Sequence, residues 1–96
     1  MKPKVSENTA LHARVLGRVQ GVGFRYSALM EAQRYALTGW VRNTQDGEVE
    51  VWAEGLPDNI AKFSTWLHIG PSHARVEKVI KEEVPPRGYT DLKVVY

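Results

Sequence analysis

With 96 residues, 43% of them hydrophobic, the chain is sized for one two-layer domain that buries its core without covalent staples. It has no cysteine, which excludes disulfides and thiolate metal sites and points to a reducing compartment, the cytoplasm. A net charge of +2 does not argue for a polyanion partner, and no segment has the apolar length of a signal peptide or a membrane span.

Residues 1–10 are polar and read as a loose tail, leaving residues 11–96 as the single domain. Leu11, Ala13, Val15, Gly17 and Val19 alternate with His12, Arg14, Leu16 and Arg18, the period of a half-buried strand. From Arg25 to about Ala36 the period becomes helical, with Phe24, Ala28 and Ala32 on one side. Residues 37–43 form a second strand, and Asp46-Gly47 signals a hairpin into a third. In that third strand Val49, Val51 and Ala53 alternate with Glu48, Glu50, Trp52 and Glu54. Pro57 suits the first turn of a second helix with Ile60, Phe63 and Leu67 on its apolar side, and Gly70-Pro71 stops it. A fourth strand spans about residues 74–82; its imperfect alternation signals a bulge. Residues 85–88 turn, and residues 92–96 return as an edge strand. The order βαββαβ is that of an α+β, ferredoxin-like split-βαβ sandwich, an antiparallel sheet with two helices on one face.

The most informative string is Gly17-Arg18-Val19-Gln20-Gly21-Val22-Gly23-Phe24-Arg25. A strand here runs through a glycine loop into a helix whose first turn carries a cation. The partial positive charge of a helix N-terminus disfavours that cation by roughly 0.3–1 kcal/mol unless an anion sits between them. Backbone N–H groups of Gln20, Gly21, Val22, Gly23 and Phe24 can converge on a phosphate, and the glycines supply the positive φ values such a nest needs. Arg25 adds a planar fork matched to phosphate oxygens. Taken alone, the two glycines read rather as a plain turn between strand and helix, with Arg25 solvated, since short glycine patterns are common. The string is neither a Walker A loop nor a dinucleotide fingerprint. A second stretch, Gly39-Trp40-Val41-Arg42-Asn43, ends at the hairpin, where Asn43 reads from its position alone as a turn residue.

Both stretches resemble the acylphosphatase family. The first matches its signature Gly-x-Val-Gln-Gly-Val-x-Phe-Arg at every fixed position, and the second matches Gly-Trp-Val-Arg-Asn without a gap. The likeness extends over about residues 11–82. It implies a hydrolase that splits the carboxyl–phosphate anhydride of small acyl phosphates, with Arg25 and the loop binding phosphate and Asn43 orienting the attacking water. It also implies a monomer that needs no cofactor. One departure is Ala36, where many members carry glycine at the end of the first helix.

The chemistry accounts for an absence. Neither residues 17–25 nor residues 39–43 contain a histidine, carboxylate, cysteine or lysine. An acyl phosphate leaves as a weakly basic carboxylate and needs no general acid. Its loose transition state is stabilised by positioned charge and hydrogen-bond donors. No metal is expected, since His12, His68 and His73 fall on different elements with no ligand pattern around them. The alternative is a non-enzymatic ferredoxin-like module that binds an anion or RNA, with Trp40 and Trp52 outward as a stacking pair. Glu48, Glu50 and Glu54 would repel RNA there, so no nucleic acid and no membrane partner is expected. A third reading is a relative of the acylphosphatase-like domain of a hydrogenase-maturation carbamoyltransferase.

Overall fold

The computed structural model describes residues 7–96. Its elements are β1 (Thr9–Arg18), α1 (Phe24–Arg34), β2 (Thr38–Asn43), β3 (Val49–Gly55), α2 (Pro57–Leu67), β4 (Arg75–Val84) and β5 (Leu92–Val95). β1 starts earlier than its alternation suggests, because Thr9 and Ala10 pair with Gly55 and Glu54. The tail expected over residues 1–10 therefore shortens at its inner end, and residues 1–6 lie outside the described residues.

The sheet order is β4-β1-β3-β2-β5. β1 and β2 both run antiparallel to β3, so they run parallel to each other although β3 separates them. β5 adds to the outer edge of β2 in parallel, which corrects the expectation of a wholly antiparallel sheet. The cause is the connection: β4 ends at the opposite edge, and the chain crosses the sheet before β5 begins. As a result the C-terminal ends of β1, β2 and β5 share one end of the sheet, and α1 starts there.

Period-two alternation sends Leu11, Ala13 and Val15 of β1, Val51 and Ala53 of β3, and Val41 of β2 to one face. Phe24, Ala28 and Ala32 of α1 and Phe63 and Leu67 of α2 close that face as one core. The expected bulge lies where Leu16 pairs with Lys78 but Gly17 pairs with Val76, leaving Glu77 without an opposite residue.

The other face departs from simple alternation. Trp52 is only 6% exposed and Glu54 only 3%, although both follow the outward parity. The segment before β5 covers them. The Glu54 carboxylate accepts hydrogen bonds from the backbone N–H groups of Arg87, Gly88 and Tyr89 at 2.6, 3.0 and 3.2 Å, and from Trp52 Nε1 at 2.7 Å. Arg87 lies over the Trp52 ring, 4.3 Å from its centroid.

Candidate active site

The loop after β1 turns through two left-handed glycines, Gly21 (φ 74°) and Gly23 (φ 77°). Gly23 is the N-cap of α1, and no side chain caps this helix end. Its first turn contains no acid, and the first backbone bond closing the helix runs from Ser27 N to Gly23 O at 3.0 Å. Helix geometry then leaves the N–H groups of Phe24, Arg25 and Tyr26 without intrahelical acceptors, a ready anion site. The Phe24 side chain anchors this turn in the core. It is 1% exposed, lies 5.4 Å from the Trp66 ring, and packs so closely on Gly70 that a Cβ there would come within 2.6 Å of the ring.

Arg25 is half-buried, with its guanidinium 5.0 Å from the centroid of the Tyr96 ring. Among the described residues it has no carboxylate partner. An aromatic face holds the cation without neutralising it, so its charge remains available to an anion.

Asn43 reaches the same end through the register. Val49 of β3 pairs with Val15 of β1 on one side and with Asn43 of β2 on the other. Gly21, Gly23, Phe24, Arg25 and Asn43 all line one cavity of about 180 Å³, together with Val19, Tyr26, Val94 and Tyr96. Two of the expected phosphate residues, Gln20 and Val22, are not in that lining. The Gln20 side chain instead donates from Nε2 to the carbonyls of Thr44 and Glu48, at 2.8 Å each. Val22 packs against the core.

The sequence does not mark Val19, Tyr26, Val94 and Tyr96 as part of the cavity. Tyr26 was within reach, since helical geometry places it one residue past Arg25 at the open helix end. Val94 and Tyr96 depend on the direction and register of β5, which no local pattern encodes. Among the described residues no group of three or more His, Asp or Glu side chains is placed to hold a metal ion. Among the described residues no helix is long and apolar enough to cross a membrane.

Fold and cavity together define a ferredoxin-like α+β domain with a candidate anion site at the shared end of three strands. The Acylphosphatase family profile matches residues 11–94. An acylphosphatase of Pseudomonas paraeruginosa is 53% identical over 78 residues, covering 81% of this chain and 86% of the relative. The structure of an acylphosphatase from Coxiella burnetii superposes with a TM-score of 0.89 at 42% identity, covering 93% of this chain and 94% of that one. HypF of T. kodakarensis also contains the fold: TM-score 0.80, 34% identity, 92% of this chain but 12% of that chain. The chain belongs to the acylphosphatase family. It is an acid-anhydride hydrolase that splits small acyl phosphates into carboxylate and inorganic phosphate.

Proposed function

We propose that the N–H groups of residues 20–24 and the Arg25 guanidinium hold the phosphoryl group, and that Asn43 aims the attacking water. One observation carries the reading. Arg25, the open helix end and Asn43 line one cavity, although the helix follows β1 and Asn43 ends β2, with β3 between those two strands. Water oxygen attacks phosphorus in line as the bond to the acyl oxygen breaks, and the carboxylate leaves with the electron pair. The Asn43 amide can accept from and donate to that water, but at neutral pH it cannot take its proton. The proton passes to the substrate's own phosphoryl oxygens. Arg25 and the amides offset the charge spread over those oxygens in the loose transition state.

The enzyme acts as a cytoplasmic monomer on free small molecules, without metal, cofactor, membrane or nucleic acid. Against an RNA platform, Trp40 and Trp52 stack on each other with centroids 6.5 Å apart. Tyr89 accepts a hydrogen bond from Trp40 Nε1 at 3.2 Å, and Arg87 covers Trp52. The pair is occupied by its own chain.

The test is hydrolysis of benzoyl phosphate by purified protein before and after exhaustive chelation, with inorganic phosphate as inhibitor. Equal rates and competitive inhibition are expected. Loss of rate on chelation with recovery on Mg²⁺, or phosphate inhibition that leaves KM unchanged, would overturn the mechanism.

A further inference from the structure

Lys81 of β4 pairs with Ala13 of β1, a core residue, so strand parity sends its side chain to the helix-covered face. β4 is an edge of the sheet, and the long side chain reaches α2, where Ser64 and His68 stand one turn apart. Lys81 Nζ donates to Ser64 Oγ at 2.8 Å and lies 3.2 Å from His68 Nε2. An ammonium only donates, so this His68 nitrogen carries the lone pair. Ser64 is 8% exposed, whereas Lys81 and His68 are open to solvent. Lys81 and Ser64 also line a groove of about 540 Å³ whose apolar side includes Leu11, Pro57 and Ile60. The other described lysines lack this setting. Lys93 lies 3.7 Å from Asp91, and Lys62 and Lys78 have no side-chain partner among the described residues.

A neutral lysine amine keeps two N–H bonds, one for each of these acceptors, and its lone pair then points away from both. The arrangement is an oriented nucleophile with a base beside it, at the rim of an apolar groove. We propose that Lys81 is an acylation site, modified by the acyl phosphates that the protein hydrolyses, with the acyl chain seated against Leu11 and Ile60. The amine attacks the acyl carbon and the N–C bond forms. The bond from that carbon to the bridging oxygen breaks, and phosphate leaves with the electron pair. Of the two protons lost by the ammonium, the first leaves before attack and is taken up by the phosphate. The second passes to His68 Nε2 and on to solvent. Hydrolysis by water attack on phosphorus breaks the other bond of the same bridging oxygen, so the two reactions are chemically distinct. The amide product has no charge and one N–H, which serves Ser64 and leaves His68 without its donor. This rests on the encounter with acyl phosphates and not on which residues catalyse their hydrolysis.

The test incubates the purified protein at pH 8 with butanoyl phosphate, renewed as it is consumed, and follows acylation of each lysine by peptide mass spectrometry. Lys81 is expected to react about fivefold or more faster than Lys62, Lys78 and Lys93, since its amine is held in place beside a base. Butanoyl phosphate should outpace acetyl phosphate about threefold or more at Lys81, and equally little at the other three, if the groove takes the chain out of water. His68→Gln should slow Lys81 about tenfold while the other lysines and the hydrolysis rate stay within about twofold. Even acylation across the four lysines, no effect of chain length at Lys81, or an unchanged Lys81 rate in folded His68→Gln would overturn the site. If the wild-type protein fails to hydrolyse butanoyl phosphate, the catalytic reading falls instead. The acyl donor then persists, and the distribution among the four lysines still decides the proposal.

Discussion

The Gln20 side chain donates a 2.8 Å hydrogen bond from Nε2 to the Thr44 carbonyl, tying the glycine loop to the residue that follows Asn43. A second bond of 2.8 Å to the Glu48 carbonyl fixes the other side of the same turn. The turn has its own bond from Thr44 N to Glu48 O at 2.9 Å, so Gln20 adds position more than closure. It joins the proposed phosphate-holding and water-holding parts of the site.

Gln20→Met keeps the length of that brace and removes its donors. Stability should fall by about 1 kcal/mol, the usual worth of such bonds. The kcat should fall by about ten- to a hundredfold if the amide of Asn43 drifts from the in-line position. The inhibition constant for phosphate should change less than about twofold, since the backbone of the cradle is retained. Unchanged kcat in a folded variant would show that the turn holds Asn43 without help.

Ala36 carries a left-handed backbone, φ 56°, at the end of α1. Leu37 N bonds to Ala32 O at 2.9 Å and Ala36 N to Gln33 O at 3.0 Å, the paired bonds of a Schellman cap in which glycine is the usual C′ residue. Ala36 is exposed, so its side chain contributes little packing there. Ala36→Gly should therefore raise stability by about 0.5–1 kcal/mol. Chemical denaturation measures this, and kcat on benzoyl phosphate should not move. A loss of stability would mean that the entropy of the unfolded glycine outweighs relief of the left-handed strain.

Burial pushes the Glu54 carboxyl up, but the N–H groups of Arg87, Gly88 and Tyr89 and the Trp52 indole outweigh it and leave the group below its ordinary value of 4.5. A carboxylate depressed in the folded state stabilises fully above its unfolded pKa, and the contribution is lost as pH falls through the lower folded value. Thermal stability should therefore decline as pH drops below about 4.5. Glu50 is depressed in the same direction: burial raises it, while His12 and Arg42 more than offset that. Glu54→Gln should flatten only part of the acid limb. At neutral pH it should cost roughly 1–3 kcal/mol, because an amide NH₂ would face N–H donors that have lost their acceptor. It should also weaken catalysis, since the clasped segment leads into β5 and hence to Val94 and Tyr96 in the cavity. Melting curves from pH 3 to pH 7 for both proteins decide the point, and parallel curves would remove Glu54 from the acid response.

Most of the fold was legible because its signals are local. Periodicity placed both helices and the first four strands, Asp46-Gly47 placed the hairpin, and the irregular alternation of β4 marked the bulge at Glu77. The glycines at 21 and 23 and the cation at 25 likewise announced an open helix end. What stayed hidden depends on residues far apart in sequence. The parity of Trp52 and Glu54 points outward, but no pattern tells that residues 87–89 fold over them. The direction of β5 follows from that same crossing, so Val94 and Tyr96 could not be assigned to the cavity. Gln20 lies in the motif, but the bracing role of its side chain depends on the positions of the Thr44 and Glu48 carbonyls, far along the chain.

Arg25→Gln and Asn43→Ala separate the two proposed roles in the reaction. Arg25 meets the phosphoryl group in the ground state and in the transition state, so Arg25→Gln should weaken phosphate inhibition and lower kcat. Asn43 meets the water instead. Its loss should lower kcat by about 10²–10³, the cost of one preorganised hydrogen-bonding group, with the phosphate inhibition constant nearly unchanged. That pattern marks an interaction felt mainly in the transition state. Both side chains are only half-buried and outside the core, so both variants should keep the wild-type circular dichroism spectrum. Measuring kcat and the phosphate inhibition constant for each, with that spectrum as control, distinguishes holding from aiming. If Asn43→Ala kept full kcat, or lost it only by unfolding, Asn43 would be a hairpin residue, and no other amide among the residues lining the cavity could take over the water.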